Sequence, residues 1–236
     1  MYYLALLAGE KNATEWGPDS PEFAVAMGRH QAFWDGAGSA LVGGGALYPS
    51  AEAATIRNED GRALITDGPF AETAEVIGGF YVLEGSDLDE VLEHARRIPE
   101  ASEGSVELWP MFEWMAVTDQ KGCWLALLRE PVGAAVSPGT PQWDEGMAEH
   151  EQFGRVAGSA VRGGGALYPP DSATTIRVRD GELLLTDGPF AETAEVANGL
   201  YVLAADDRES AIALAAKIPV SPKGCIELRQ IVADAE

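Results

Sequence analysis

The 236-residue chain contains one unit twice. Thr66–Val76 reads TDGPFAETAEV, and Thr186–Val196 repeats it letter for letter 120 residues on. The flanks keep the same register. Gly43–Pro49 and Gly163–Pro169 are both GGGALYP, Thr55–Arg57 and Thr175–Arg177 are both TIR, and Tyr81–Leu83 and Tyr201–Leu203 are both YVL. His30 answers to His150. A duplication this strict demands a fold that can be built twice and packed against itself. Two copies are too few for a solenoid. They suit a pseudo-two-fold pair, in which one chain does what a homodimer would do. The expected organisation is a first unit over 1–112, a connector over 113–121 and a second unit over 122–236. The connector is not rich in Gly, Ser or Pro, so it is expected to be packed and not a flexible tether.

Within a unit the pattern predicts β-α-β-β-α-β, with an extra hairpin before the third main strand. Tyr2–Leu7 is a short apolar strand. Ser20 and Pro21 form a helix start, as an N-cap followed by proline at the first helical position, and Thr140–Pro141 repeats the device. These helices are expected to run to about Gly36 and Gly158. Asp60–Gly61 and Asp180–Gly181 are hairpin turns. A second helix is expected over about 87–98, capped by Ser86, with Asp206 and Glu209 forming a capping box in its counterpart. Pro99 and Pro219 lie just beyond the helix ends. This order suggests an α+β, ferredoxin-like unit whose sheet leaves one face uncovered, so the two sheets should face each other with helices outside.

A formal net charge of −22 repels phosphates and anionic surfaces, so neither nucleic acid nor membrane is an expected partner. The N-terminus lacks a basic n-region, and no apolar stretch approaches the roughly 18 residues of a membrane span. The two cysteines, Cys123 and Cys225, form no CxxC pair. A cytoplasmic location is therefore the expectation. The three histidines are spread across both units, so neither a metal site nor a cofactor is expected.

TDGPFAETAE after a hairpin, with GGGALYP upstream, closely resembles the DGPF subgroup of YCII-related proteins, over nearly all of both units. The resemblance implies ferredoxin-like units pairing sheet to sheet as a dimeric α+β barrel, here within one chain. It implies a monomer with an internal pseudo-two-fold, or a higher homo-oligomer. The wider superfamily is similar to muconolactone isomerases and small cofactor-free monooxygenases, which bind ligands between sheet and helices. DGPF members are often encoded beside extracytoplasmic-function sigma factors. In that fold the strands carrying Cys123 and Cys225 start at opposite ends, so no disulfide is expected.

Phe23, Met27, His30 and Trp34 fall on one face of the first helix, and Trp143, Met147 and His150 repeat the stripe. An imidazole aimed from an apolar face at the sheet is a natural proton carrier when a carboxylate orients it. It is equally a core histidine satisfied by neighbours. The helix histidine also matches the position of the catalytic histidine of compact YCII-like relatives, which pair it with an aspartate after the next loop. Only Asp171 fits there, and Asp67 and Asp187, which open the DGPF loops, are the alternatives. Asp-Gly-Pro is at the same time ordinary turn chemistry. Glu72 and Glu192, with Thr73 and Thr193, add polar groups beyond what a turn needs. Tyr48 and Tyr168 offer hydroxyls to a ligand oxygen, and Trp34 offers a wall. The reading is a small-molecule enzyme of isomerase- or lyase-like type acting without a cofactor on a cyclic or aromatic substrate. The rival is a non-catalytic binding or regulatory partner, tied to a sigma factor. Because Gly154 stands where the first unit has Trp34, the pocket beside His150 is expected to be the roomier.

Overall fold

The computed structural model describes residues 1–10, 16–59, 61–69, 75–117, 120–189 and 195–233. In the first unit these form β1 (Tyr2–Glu10), α1 (Pro21–Ala37), β2 (Leu41–Ala46), β3 (Ala54–Glu59), β4 (Arg62–Asp67), β5 (Glu75–Glu84), α2 (Leu88–Ala95), α3 (Pro99–Glu103) and β6 (Ser105–Met111). The second unit gives β7 (Cys123–Pro131), α4 (Pro141–Ala157), β8 (Val161–Ala166), β9 (Thr174–Arg179), β10 (Glu182–Asp187), β11 (Glu195–Ala204), α5 (Arg208–Ala215) and β12 (Cys225–Gln230).

The local chemistry explains the helix ends. Ser20 Oγ accepts from the Phe23 amide at 3.1 Å and Thr140 Oγ1 from that of Trp143 at 3.3 Å. Both helices stop where Gly38 and Gly158 take positive φ angles of 54° and 55°. Two caps differ from expectation by one residue. Asp87 caps α2 and Asp207 caps α5, accepting from Glu90 N and Ser210 N, while Ser86 Oγ instead bonds Glu90 Oε2. Pro99 does more than end a helix, because it opens the one-turn α3, for which the second unit has no helical counterpart among its described residues.

The strands make two six-stranded antiparallel sheets, ordered β2-β5-β1-β6-β9-β10 and β8-β11-β7-β12-β3-β4. Each unit supplies four strands to its own sheet and lends its extra hairpin to the other. β9 pairs with β6, and β3 pairs with β12. The exchange covers strand edges that would otherwise be open. It is clamped reciprocally: Arg57 donates to both carboxylate oxygens of Glu195 at 3.0 and 3.1 Å, and Arg177 Nη2 donates to Glu75 Oε1 at 3.2 Å.

The strands alternate between two apolar layers. Phe80 and Val82 join Leu4, Leu6, Trp109, Leu125, Leu127, Leu200 and Val202 in a core drawn from both sheets. Tyr81 and Leu83 turn the other way, onto α1 and α2 with Phe33, Val91 and Ile98. A matching outer layer packs Phe153, Ala211 and Ala215 on the second sheet. The central layer also holds charge. Glu227 lies between Arg129 and Arg229, and Arg229, 2 % exposed, donates to the carbonyls of Tyr48 and Ile77 in the first unit. Within the segment between the units, Met115 and Gly164 exchange backbone hydrogen bonds at 2.8 and 3.2 Å beside β8. No helix of the described residues is long and apolar enough to cross a membrane. Cys123 and Cys225 are both buried and free.

Candidate functional site

The spacing on α1 places His30 against Tyr81, which β5 turns toward the helix layer. His30 Nδ1 and the Tyr81 hydroxyl lie 2.9 Å apart. Trp34 Nε1, one turn further on, donates to the same hydroxyl at 2.7 Å. The Tyr81 oxygen accepts from the indole, and its own proton goes to His30 Nδ1 when the neutral ring carries its proton on Nε2, the arrangement a carboxylate at Nε2 favours. That nitrogen lies 3.2 Å from Glu100 Oε1, on the short α3. Burial pushes the Tyr81 hydroxyl well above its usual range, so it stays protonated and keeps this order. Trp34, Tyr81, His30 and Glu100 thus form a chain in which both imidazole nitrogens are occupied. The cavity beside it, lined by His30, Tyr81, Glu100 and Arg29, is only about 80 Å³. Glu100 Oε2 is buried without a hydrogen bond among the described residues.

The second unit keeps the middle of this chain and loses both ends. His150 Nδ1 lies 3.0 Å from the Tyr201 hydroxyl. Gly154 stands in place of Trp34 and Val220 in place of Glu100. Among the described residues His150 Nε2 has no hydrogen-bond partner. Burial lowers the His150 pKa, favouring the neutral ring. Burial and then the charge of Glu113 push the Tyr201 hydroxyl up to about 12. The cavity here is about 650 Å³, lined by His150, Tyr201, Trp143, Met147, Trp114 and Glu130 among others. It is the roomier of the two, but not for the reason the sequence suggested. Trp34 does not line the cavity beside His30, because its indole is committed to Tyr81.

The carboxylates named from sequence lie elsewhere. Asp67 is exposed and pairs with Arg208 Nη2 at 2.6 Å, on the second unit's helix layer. Asp187 at the end of β10 and Asp171 in the turn 170–172 are exposed. None of the three contacts a histidine. Tyr48 and Tyr168 line neither cavity: Tyr48 gives its carbonyl to Arg229, and the Tyr168 ring packs edge-on against Phe112 at 6.0 Å. Glu72, Glu192, Thr73, Thr193, Phe70 and Phe190 lie outside the described residues. The start of the DGPF loop behaves as a turn, with Gly68 and Gly188 at φ 96° and 84° and their carbonyls bonded by Thr55 and Thr175. GGGALYP is mostly strand, and Gly45, Gly164 and Gly165 floor the two cavities. Three residues escaped the sequence reading. Tyr81 and Tyr201 were visible as the repeated YVL, and strand alternation would have turned them toward the histidines. Glu100 gave no signal, since nothing repeats it.

The comparisons agree with the duplication. A model of the YCII-related domain matches residues 1–115 and again 120–233. An uncharacterised protein of Rhizobium meliloti (strain 1021) is 45 % identical over 67 residues, 28 % of this chain. The match spans 54 % of that relative, about half its length. The solved structure of Putative Chlorite dismutase TA0507 aligns over 98 % of this chain and 94 % of its own, at 11 % identity and a TM-score of 0.38. With both halves matched by the same domain, the chain belongs to the YCII-related family as a tandem duplication.

Proposed function

We propose that the chain binds a small molecule in the cavity beside His150, with the first unit as its filled, hydrogen-bonded counterpart. In this reading the two units are ferredoxin-like and form an intramolecular dimeric α+β barrel. The strand order β6-β1-β5-β2, repeated as β12-β7-β11-β8, and the shared central core support it. The observation that carries the binding site is the pairing of an open 650 Å³ space with a histidine whose Nδ1 is fixed by Tyr201 and whose Nε2 is unbonded.

An isomerase- or lyase-like proton transfer is the second reading, and one observation favours it. Burial keeps His150 neutral near pH 7, as a general base must be. Such a step also calls for a carboxylate on the imidazole, and the units divide these features. His30 has a carboxylate on its ring and little space; His150 has the space and no carboxylate bonded to its ring among the described residues. Binding is therefore the conclusion. The test is a thermal-shift screen of small aromatic compounds against the wild type and Gly146→Leu. Gly146 lines the cavity, and a Cβ there meets nothing within 4 Å, so a leucine can start from this position and narrow the space. Compounds should stabilise the wild type and not the filled variant. Equal stabilisation of both would overturn the assignment.

A further inference from the structure

The cavity beside His150 has a one-sided charge pattern. Its described lining includes three carboxylates, Glu113, Glu130 and Glu149, and no lysine or arginine. Glu130 is buried and anchored: the Ser221 amide donates to Oε1 at 2.8 Å and the Ser221 hydroxyl donates to Oε2. Glu113 and Glu149 are exposed and make no hydrogen bond or ion pair among the described residues. Glu113 is near enough for its charge to raise the Tyr201 hydroxyl. The apolar part of the wall includes Trp114, Trp143 and Met147 beside aliphatic residues such as Leu128, Val136 and Leu200. The first unit does not repeat this pattern, because Arg29 lines its smaller cavity.

We infer that the ligand of this cavity is a cationic aromatic amine, held with its ring among the tryptophans and its ammonium toward Glu113, Glu149 and His150 Nε2. The inference rests on the reading of this cavity as the binding site and adds the substrate class. A carboxylate or phosphate ligand would find no cation to receive it and several like charges to repel it. An ammonium finds the opposite. Indole faces attract cations through the ring quadrupole. The neutral His150 Nε2 is left as either donor or acceptor, because no carboxylate holds a proton there as Glu100 does at His30 Nε2. The overall charge of −22 adds a long-range field of the same sign.

Calorimetric titration of the full chain with naphthylmethylamine, naphthylmethanol and naphthoate separates charge from shape. At low salt the amine should bind about tenfold or more tighter than the alcohol, and naphthoate weakest of all. The advantage should shrink as salt screens the exposed carboxylates. Glu113→Gln with Glu149→Gln should weaken the amine several-fold and leave the alcohol unchanged. Both residues are exposed, so the variant keeps its fold. If the alcohol or naphthoate binds as tightly as the amine, the substrate class is overturned while the binding site stands. If no probe binds, or if all bind undiminished to Gly146→Leu, the site itself falls with it.

Discussion

The Tyr81 hydroxyl meets His30 Nδ1 at 2.9 Å across 51 residues of sequence, and Tyr201 meets His150 in the same way at 3.0 Å. The duplication has preserved this contact while changing what surrounds it. Around His30 the contact is the middle of a closed chain. Around His150 it is the end of one, facing a cavity. Equal residues at equal positions are thereby expected to do different things.

Replacing each histidine by asparagine tests this division. In His30→Asn the short amide cannot reach both Tyr81 and Glu100, and a half-buried carboxylate loses its neighbour. Stability should fall by about 1–3 kcal/mol in urea denaturation. In His150→Asn only one contact is lost and the freed group faces the cavity, so the fall should stay below about 1 kcal/mol. Ligand binding should behave in reverse, surviving the first change per folded molecule and weakening in the second. Equal losses of stability would mean the histidines play one role.

The parts of this arrangement that follow chain-local rules were legible in sequence. The 120-residue offset set the two units, Ser20 and Thr140 marked the helix starts, and Asp180–Gly181 marked a hairpin. The destination of the hairpins was not legible. An Arg57–Glu195 contact spans 138 residues, and nothing in the TIR motif says which sheet its strand will join. The carboxylate beside His30 was missed for a similar reason. Pro99 reads as a helix stop, and only the packing of the short turn it opens brings Glu100 to the imidazole. Tyr48, Tyr168, Asp67 and Asp187 belong to the repeated GGGALYP and DGPF segments, and Asp171 matches the aspartate position that the family resemblance implies, but loop position does not decide what a side chain meets. Strands alternate sharply, and it was the strand tyrosines that faced the helices.

The pH dependence of folding should carry the mark of His150. Its folded pKa lies below the ordinary value near 6.5 because burial penalises the charged ring. The unfolded chain therefore binds the proton first as pH falls. The neutral-ring contribution to stability is fully present above about pH 6.5 and is lost as pH drops through the folded pKa. Urea midpoints from pH 8 down to 5 should decline for the wild type, with less of the decline in His150→Phe. An unchanged profile in that variant would contradict the assignment.

Alkaline conditions should act in the opposite sense through other groups. Burial, then the hydrogen bond to Glu195 at 3.2 Å, pushes the Cys225 thiol up to about 12. The folded protein thus holds a proton that the unfolded chain releases near pH 9, and the associated stability, present below that pH, is lost as pH rises toward 12. The native thiol should also resist iodoacetamide at pH 8 and react only on unfolding. Rapid native alkylation at Cys225, mapped by peptide mass, would contradict this placement.

The hairpin exchange should have a measurable clamp. Arg57 and Glu195 are 31 % and 12 % exposed and bidentate, whereas Arg208 and Asp67 are 42 % and 83 % exposed. A double-mutant cycle with alanine should give a coupling of about 1–3 kcal/mol for the first pair. For the second pair it should be below about 1 kcal/mol, as for surface pairs generally. Comparable couplings would mean that the exchange is held by strand pairing alone.

Two glycine substitutions should have opposite signs, and together they probe why the repeat is so strict. Gly154 lies inside α4, and a Cβ there meets nothing within 4 Å. Gly154→Ala should raise stability by about 1 kcal/mol, the ordinary helix preference, because the indole that fills the matching place in the first unit is absent. Gly44 is a different case. It has φ +147°, and a Cβ would stand 2.4 Å from the Tyr81 ring and 2.6 Å from the Phe80 carbonyl. Gly44→Ala must move β2 away from β5 or shift the Tyr81 ring off His30, so it should cost more than about 2 kcal/mol. If the cost arises by displacing Tyr81, the His30 ring resonances should move as well. A Gly44→Ala protein as stable as the wild type would show that GGGALYP is kept for some reason other than the close approach of these strands.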